Sequence, residues 1–453
     1  MNQHILGTTA LLLAAATASA QWHQATPSAS PTARGGAGMT YDPMTGNVLM
    51  FGGDTGAFPS PASNQTWSYN GTTWSQLTPA ASPTGKIGIE LVFDSNRGVF
   101  VMFGSLNTSA FGGASVNQTW EFNGATWTQV FPTTTPGGLG LYGACFDSVR
   151  NKVVLYGGVA NSMFPIAANG TWEFNGTNWA QITTAGSPGP LERPAMCFHE
   201  GLGRTVLFGG IDPQTGGTDT TWLYDGTNWV AATVPGPKPA ARTGAKMVYD
   251  GVRGVCVLTG GMDPMTGNPI VDTWEWNGAN WTQVQSVTTG RRDSMLAYVP
   301  GRASVVQFGG IAGFTYLADT WEYAKPRVIG SGCAGSNGVP ALDAAAAPRL
   351  GQNYVQDMTN LNPAVGIGLL VLSLTEIPPT PLDVIGMTGC FAYVSPDVLV
   401  TMTAVGSSAS HSLPIPSTPS LVGTSLLSQG ISVDPVNPAW LVTSNALSGL
   451  IGQ

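Results

Sequence analysis

The stretch TWEFNGTNW at 171–179 decides the fold, because it is a β-hairpin that the chain repeats. Trp172 and Phe174 alternate with polar residues, which is the pattern of a strand with one buried face. Asn175 and Gly176 supply the turn, since a two-residue type I′ turn needs positive φ at both central positions. The tryptophan that closes the stretch begins the return strand. A hairpin that recurs at a fixed spacing predicts a repeat architecture.

The hairpin recurs over the first two thirds of the chain at a period of about 50 residues. Two further strands precede each copy, the first ending in an aromatic residue and the second usually in a glycine pair, as in VVLYGG from Val153. We therefore predict four strands in each complete repeat. The other copies are TWSYNGTTW from Thr66, TWEFNGATW from Thr119, TWLYDGTNW from Thr221, TWEWNGANW from Thr273 and the shortened TWEY from Thr320.

This pattern resembles the kelch repeat over roughly residues 21–327. The resemblance rests on the glycine pair after the second strand, an aromatic residue late in the third strand and a tryptophan that begins the fourth. It implies a β-propeller, in which these aromatic side chains fill the wedge between neighbouring blades. The tight Asn-Gly hairpin departs from the usual kelch repeat, since it brings the two aromatic positions closer together. The aromatic residues are Tyr69, Phe122, Phe174, Tyr224, Trp276 and Tyr323, and the tryptophans are Trp74, Trp127, Trp179, Trp229 and Trp281.

The sixth repeat lacks its fourth strand, and the N-terminal stretch supplies a candidate. QWHQATPSASPTAR at 21–34 matches TWSQLTPAASPTGK at 73–86, so that Trp22 aligns with Trp74. A strand from the N-terminus would complete the last blade and leave no sheet edge exposed. The sequence therefore predicts an all-β fold with a six-bladed kelch-type β-propeller that is closed by the N-terminal strand.

The two ends of the chain differ from the repeats. Residues 1–20 predict a secretory signal peptide, with an apolar core at 9–16 and Ala-Ser-Ala before Gln21. We therefore expect a secreted or cell-envelope protein, and no other apolar run reaches membrane-spanning length. Residues 328–453 contain alternating apolar runs between Pro, Gly and Ser turns, which predicts a small β-sandwich-like domain. In an exported protein we expect a disulfide between Cys333 and Cys390.

Composition and motifs exclude several classes of function. The net charge is −8 and only 9% of the 453 residues are charged, so a nucleic-acid partner is not expected. The four histidines lie in unrelated contexts, no cysteine has metal-ligand spacing, and no nucleophile or phosphate-binding motif occurs. The Asp-Pro-x-Thr-Gly segments supply one carboxylate each and favour turns over calcium sites. The sequence predicts no catalytic residue, no metal and no cofactor.

One set of cations does recur at an equivalent position, just before the first strand of a repeat. Because the first strand of a propeller blade is innermost, these residues would form a ring round the channel mouth on the side of the loops between strands two and three. Such a ring could hold a carboxylate or sulfated ligand. The alternative is that the side chains cap backbone carbonyls. The set contains Arg34, Lys86, Arg242 and Arg291, with Arg193 two residues further on in repeat four.

The sequence as a whole favours a secreted, non-enzymatic binding module that recognises a protein or glycan, possibly an acidic one, through the loop face. A kelch-like enzyme acting on acidic sugars, of epimerase or mutarotase type, is the first alternative. It requires a Glu, Asp or His within hydrogen-bond reach of the ring arginines. A structural component of the cell envelope is the second alternative.

Overall fold

The computed structural model describes most of the chain. The described residues are 22–56, 62–106, 115–160, 167–284, 289–324, 326–344, 347–349, 351–383, 387, 389–418, 421, 424–436 and 439–451. Strands account for 48% of the structure and helix for 2%. The predicted signal peptide lies outside the described residues.

Six four-stranded antiparallel sheets form the propeller, and the first strands of neighbouring blades contact one another all the way round the axis. The loops between second and third strands lie on one face, which we call the loop side. The turns between first and second strands lie on the opposite face, the hairpin side. From the axis outward, the strands are Gly38–Asp42, Asn47–Phe51, Thr66–Tyr69 and Trp74–Leu77 in blade 1; Leu91–Asp94, Val99–Phe103, Thr119–Phe122 and Trp127–Val130 in blade 2; Gly143–Asp147, Lys152–Tyr156, Thr171–Phe174 and Trp179–Ile182 in blade 3; Ala195–His199, Arg204–Phe208, Thr221–Tyr224 and Trp229–Ala231 in blade 4; Lys246–Asp250, Val255–Thr259, Thr273–Trp276 and Trp281–Val284 in blade 5; and Met295–Val299, Ser304–Phe308, Thr320–Ala324 and Trp22–Ala25 in blade 6.

Short elements decorate the turns of blades 4 and 6. Each of these blades has a 3₁₀ turn after its first strand and a two-residue strand pair in its loop. These elements are Glu200–Leu202, Pro300–Arg302, Ile211–Asp212 with Gly216–Gly217, and Ile311–Ala312 with Thr315–Tyr316.

The N-terminal strand closes the ring as the sequence predicts. Trp22–Ala25 pairs antiparallel with Thr320–Ala324, and Trp22 lies opposite Tyr323 in this register. The strand therefore fills the fourth position of blade 6, and the prediction of six blades closed by the N-terminus is confirmed.

A tryptophan–threonine hydrogen bond joins every blade to the blade before it. The indole Nε1–H of the tryptophan that begins a fourth strand donates to the Oγ1 of the threonine that begins the preceding blade's third strand. Because Trp22 makes this bond to Thr273 at 2.8 Å, the circle is complete across the chain ends. The other five pairs are Trp74–Thr320, Trp127–Thr66, Trp179–Thr119, Trp229–Thr171 and Trp281–Thr221.

Arginines held between two carboxylates join neighbouring blades on the hairpin side, and we call each such group a carboxylate clamp. In blade 3, Arg150 contacts Asp147, with 2.8 Å between Nε and Oδ2, and also pairs with Glu173. Its guanidinium carbon lies 5.2 Å from the ring centroid of Tyr224 in blade 4, a cation–π contact between blades. The three clamps are Asp94–Arg97–Glu121, Asp147–Arg150–Glu173 and Asp250–Arg253–Glu275.

The C-terminal part forms the small β domain that the sequence predicts, and its strands make one nearly closed sheet. The Asn445 side chain bonds both backbone groups of Leu342, at 2.9 and 2.8 Å, and so ties the last strand of the sheet back to the second. The expected Cys333–Cys390 disulfide is present. In sheet order the strands are Arg327–Ile329, Leu441–Leu450, Ser425–Val433, Ile367–Ser373, Val398–Val405, Ser408–Pro414, Asn353–Thr359 and Ala341–Asp343, and Glu376–Pro381 pairs separately with Phe391–Val394.

The two parts of the chain contact each other at the closing blade. The Ala347 amide donates to the Ala324 carbonyl at 3.3 Å, and Arg349 lies 3.8 Å from Glu322. The C-terminal domain thus rests on the blade that the N-terminal strand completes. Within the described residues, no helix has the length and apolar character that a membrane crossing requires.

Candidate functional site

The loop-side mouth of the central channel is narrowed by a closed circle of backbone hydrogen bonds, which we call the peptide ring. Each blade contributes one residue in the left-handed region, with φ between 52° and 68°. The N–H of each residue donates to the carbonyl of the residue in the preceding blade, at 2.6–3.2 Å. The peptide ring therefore ties all six blades together at the axis. Its members are Gly36, Gly88, Leu141, Arg193, Gly244 and Asp293.

Three members of the peptide ring are not glycine, and two of them carry charge. A non-glycine residue with positive φ costs of the order of 1 kcal/mol, so the surrounding bonds must hold it there. Arg193 and Asp293 face each other across the glycine of blade 5, with 3.3 Å between Nε and Oδ1. Arg193 also contacts Glu192 at 2.8 Å, and Arg292 contacts Asp293 at 2.6 Å. Four charges of alternating sign thus lie at one side of this mouth, and we call them the mouth cluster.

An ion pair crosses the channel just below the peptide ring. Glu90 comes from blade 2 and Lys246 from the opposite blade 5, and their side chains contact each other. Burial raises the pKa of the Glu90 carboxyl, while the charge and hydrogen bond of Lys246 act in the opposite direction. Small cavities of about 20 and 30 Å³ flank the pair, each with room for about one or two water molecules. The pair therefore separates the loop-side mouth from the rest of the channel.

The hairpin side of the channel opens into a cavity of about 310 Å³. Its wall exposes polar as well as apolar atoms, with Thr40 beside Met39 and Leu91. Nearer the mouth, every blade contributes one aromatic residue from the same position of its first strand, and we call this set the aromatic collar. Ser95, Ser148 and Glu200 add polar groups. The aromatic collar consists of Tyr41, Phe93, Phe146, Phe198, Tyr249 and Tyr298.

Four of the five cations predicted as ligand-binding residues are fully buried. Arg34, Lys86, Arg242 and Arg291 have no exposed surface. The three arginines each donate to the carbonyl of the first glycine of a glycine pair, at 3.0–3.2 Å. This is the carbonyl-capping geometry named as the alternative. Ligand binding by these four residues stays a prediction, and in this structure they present no exposed donor.

Two of these buried cations, Arg242 and Arg291, have internal countercharges. The Asp272 carboxylate accepts hydrogen bonds from both terminal nitrogens of Arg242, and Asp319 accepts in the same way from Arg291. The N···O distances are 2.5–3.1 Å. Burial would raise the pKa of Asp319, but the hydrogen bond and charge of Arg291 lower it below its ordinary value. An ionised carboxylate bound to a buried cation does not serve as a proton shuttle at neutral pH.

Arg193 is the predicted cation that does reach the channel mouth. Its side chain is 24% exposed, and it lies in the peptide ring rather than at the buried position of the other four. The structure therefore brings Arg193 together with Glu192, Arg292 and Asp293, which sequence reasoning did not single out. Among the residues that the structure covers, no group of three His, Cys, Asp or Glu could hold a metal ion.

Gly52 explains why the buried cation and the glycine pair recur together. It has a φ of 81°, and a Cβ there would come within 2.7 Å of the Lys86 carbonyl oxygen in the next blade. The next glycine, Gly53, donates its N–H to the same carbonyl at 2.8 Å. The glycine pair is therefore a point of close approach between blades.

The comparisons with known proteins support the fold alone. No protein-family model matches the sequence, and no curated protein is a significant match. Among solved structures, 127 chains match. One of them is the structure of YjhT, which is 14% identical, with a TM-score of 0.50 over 65% of this chain and 95% of that chain. This likeness agrees with the six-bladed propeller and carries no information about ligand or activity.

Proposed function

We propose that this protein is an exported, non-enzymatic binding module of kelch-repeat type, and that it takes its ligand into the hairpin-side cavity. One observation carries the proposal: a cavity of about 310 Å³ on the axis, lined by all six blades and rimmed by the aromatic collar. Binding sites are concave and mostly apolar, with a few polar groups that fix orientation. The cavity is concave and combines aromatic rings with a few polar side chains. The loop-side mouth is shallow because the peptide ring and the Glu90–Lys246 pair close it.

Two further observations support the kelch and export parts of the proposal. The recurring glycine pairs adopt positive φ, as at Gly209 and Gly210, where a side chain would be strained. The Cys333–Cys390 disulfide suits an oxidising compartment outside the cytoplasm, where such bonds persist. A loop-face partner, either a protein or a glycan, stays a separate prediction from the sequence.

The binding proposal is tested by a ligand screen with a blocked cavity. Ala144 lies in the cavity wall, so Ala144→Phe fills part of the space that a ligand would occupy. We expect a compound that raises the melting temperature of the parent protein, in a library of small molecules and glycans, to lose that effect in Ala144→Phe. Ala231→Phe, on an exposed fourth strand, is the matched control. A hit that stabilises Ala144→Phe as well as the parent would refute binding in the cavity.

A second candidate function, an enzyme acting on acidic sugars, is favoured by the mouth cluster. Glu192 and Asp293 lie within contact distance of Arg193, which meets the requirement for carboxylates beside a ring arginine. A cation could bind the sugar carboxylate while a neighbouring carboxylate moves a proton.

The enzyme candidate is tested with Arg193→Gly. Glycine occupies the same peptide-ring position in blades 1, 2 and 5, so this variant removes the charge without adding strain. If the candidate is correct, anomeric exchange or epimerisation of sugar acids, followed by NMR, is faster with the parent protein than with Arg193→Gly. Exchange at the uncatalysed rate in the presence of the parent protein would exclude it.

A further inference from the structure

We infer that the hairpin-side cavity binds an organic cation, a small ligand that carries a quaternary ammonium group. This inference rests on the proposed binding function and names its ligand class. It differs from the acidic ligand that the sequence suggests for the loop side. Three features of the cavity carry it: the aromatic collar, the sign of the surrounding charge and the small volume.

The aromatic collar presents rings from all six blades around one axis. Phe198 is 6% exposed, and its five counterparts are half-buried, so each ring packs against its blade while part of it lines the cavity. The face of an aromatic ring carries a negative quadrupole and attracts a cation placed over it. A quaternary ammonium group has no N–H to donate, so ring faces can replace its hydration without leaving a hydrogen bond unmade.

The charge around the cavity is negative. Its described lining contains two carboxylates, Glu90 and Glu200, and no lysine, arginine or histidine. Glu90 is neutralised by Lys246, but the described residues offer Glu200 no ion-pair partner. A cation that enters this mouth can therefore pair with the Glu200 carboxylate, which forms no ion pair with another described residue.

The carboxylate clamps extend this negative field round the mouth. Each clamp lies directly after a collar residue and places two carboxylates on one guanidinium, which leaves one net negative charge. Blade 1 has the aspartate without an arginine, since Thr45 stands in that position and donates to Asp42. The hairpin side thus attracts cations over a distance of about a Debye length, roughly 8 Å at physiological salt.

The size of the cavity disfavours an oligosaccharide. The volume of about 310 Å³ is at the lower end of the range for small-molecule sites, roughly 300–1,000 Å³. Such a cavity fits an alkylated ammonium headgroup better than an oligosaccharide.

A pair of nearly isosteric probes separates charge from shape. Choline carries the quaternary ammonium group, and 3,3-dimethylbutan-1-ol replaces its nitrogen with carbon. We expect the full chain to bind choline at least about tenfold more tightly than the alcohol, as measured by isothermal titration calorimetry. Equal affinities would overturn the inference, because an apolar cavity alone would then account for binding.

Three variants locate the site. Phe93→Leu with Phe146→Leu removes two ring faces from the aromatic collar, and we expect choline to lose its advantage over the alcohol. Glu200→Gln removes the charge of an exposed side chain and does not disturb the core, so the variant remains folded. We expect it to bind choline about threefold more weakly and with a smaller salt dependence. Phe314→Leu, at a fully exposed residue on the loop side, is the control and leaves binding unchanged.

The outcomes distinguish this inference from the proposed function. If neither probe binds, but the screen finds another ligand that Ala144→Phe excludes, the organic-cation class is wrong and the binding function stands. If the screen also finds no ligand, both fall. Choline binding that survives in the double leucine variant and in Glu200→Gln would place the site elsewhere and overturn the inference.

Discussion

Replacing Trp22 tests the closure of the propeller most directly. The side chain is 7% exposed, its Nε1 lies 2.8 Å from Thr273 Oγ1, and its ring centroid is 5.4 Å from that of Tyr323. Trp22→Ala therefore removes a buried aromatic contact and a buried hydrogen bond. A change of this kind lowers the free energy of unfolding by about 3–5 kcal/mol. At this domain size the melting temperature falls by roughly 2 °C per kcal/mol, which gives a decrease of about 6–10 °C.

Trp281 provides a matched control in blade 5. Its Nε1 also lies 2.8 Å from a threonine Oγ1, in this case that of Thr221, and its ring centroid is 5.4 Å from that of Trp276. Unlike Trp22, it is connected to its own blade by a tight turn. If the N-terminal strand is an equal part of blade 6, Trp22→Ala and Trp281→Ala lower the melting temperature by similar amounts.

Differential scanning calorimetry of chains that begin at Gln21 measures both effects. Deletion of residues 21–32 removes the whole strand and is expected to lower the propeller transition more than Trp22→Ala does, because the edge of Thr320–Ala324 then loses its partner. A melting temperature within about 1 °C of the parent for Trp22→Ala, beside a clear decrease for Trp281→Ala, would refute the closure.

Two further predictions concern charge and covalent linkage. Gln118→Asp gives the buried Lys86 the countercharge that the equivalent arginines of blades 5 and 6 have, and we expect about 1 kcal/mol of added stability at pH 7 by urea unfolding. Burial lowers the pKa of Lys86 from 10.5 to about 8, so between these pH values the folded parent binds fewer protons than the unfolded chain. The stability of the parent therefore rises with pH in this range. We expect Gln118→Asp to lose that rise, and identical pH profiles of the two proteins would contradict the role of Lys86. Cys333→Ser opens a disulfide that spans 57 residues, and we expect a loss of about 2–5 kcal/mol from the C-terminal domain with the propeller transition unchanged. A single transition that carries the whole loss would mean that the two domains unfold as one unit.

The fold was largely predictable because its determinants are local and repeated. The Asn-Gly turn and the flanking tryptophan mark each outer hairpin, and the match of Trp22 to Trp74 identifies the closing strand. The tryptophan–threonine bonds follow from the same pattern, since the threonine always precedes the hairpin's first tryptophan. What was not predictable is the partner of each indole, because it belongs to a different repeat.

The loop-side mouth was less predictable because its residues break the repeat instead of following it. Arg193 and Asp293 occupy peptide-ring positions where three other blades have glycine, and sequence alone does not reveal a positive φ at a charged residue. Glu90 and Lys246 are separated by 156 positions, and only the ring brings them together. A signal was nevertheless available: in a strict alignment they are charged residues at an innermost position where the other four blades have Gly38, Gly143, Ala195 and Met295.

The buried cations show a second limit of sequence reasoning. Arg34, Arg242 and Arg291 recur at one position, and recurrence in a repeat protein reflects packing as often as it reflects ligand binding. Their guanidinium groups meet glycine carbonyls that are also recurrent, so the pattern had a structural cause within each blade. Ligand binding would require these side chains to be exposed at the axis, whereas packing would not. No sequence pattern encodes how deeply such a side chain is buried.

The position of Trp22–Ala25 in blade 6 also has a consequence for the order of assembly. During synthesis this strand emerges before the other blades, yet its partner Thr320–Ala324 emerges only after five blades have been made. Until then the growing chain is an open arc of blades with an unpaired strand edge at each end. A prematurely terminated chain would keep both edges free to pair with other chains, whereas a full-length chain pairs them with each other in a single event.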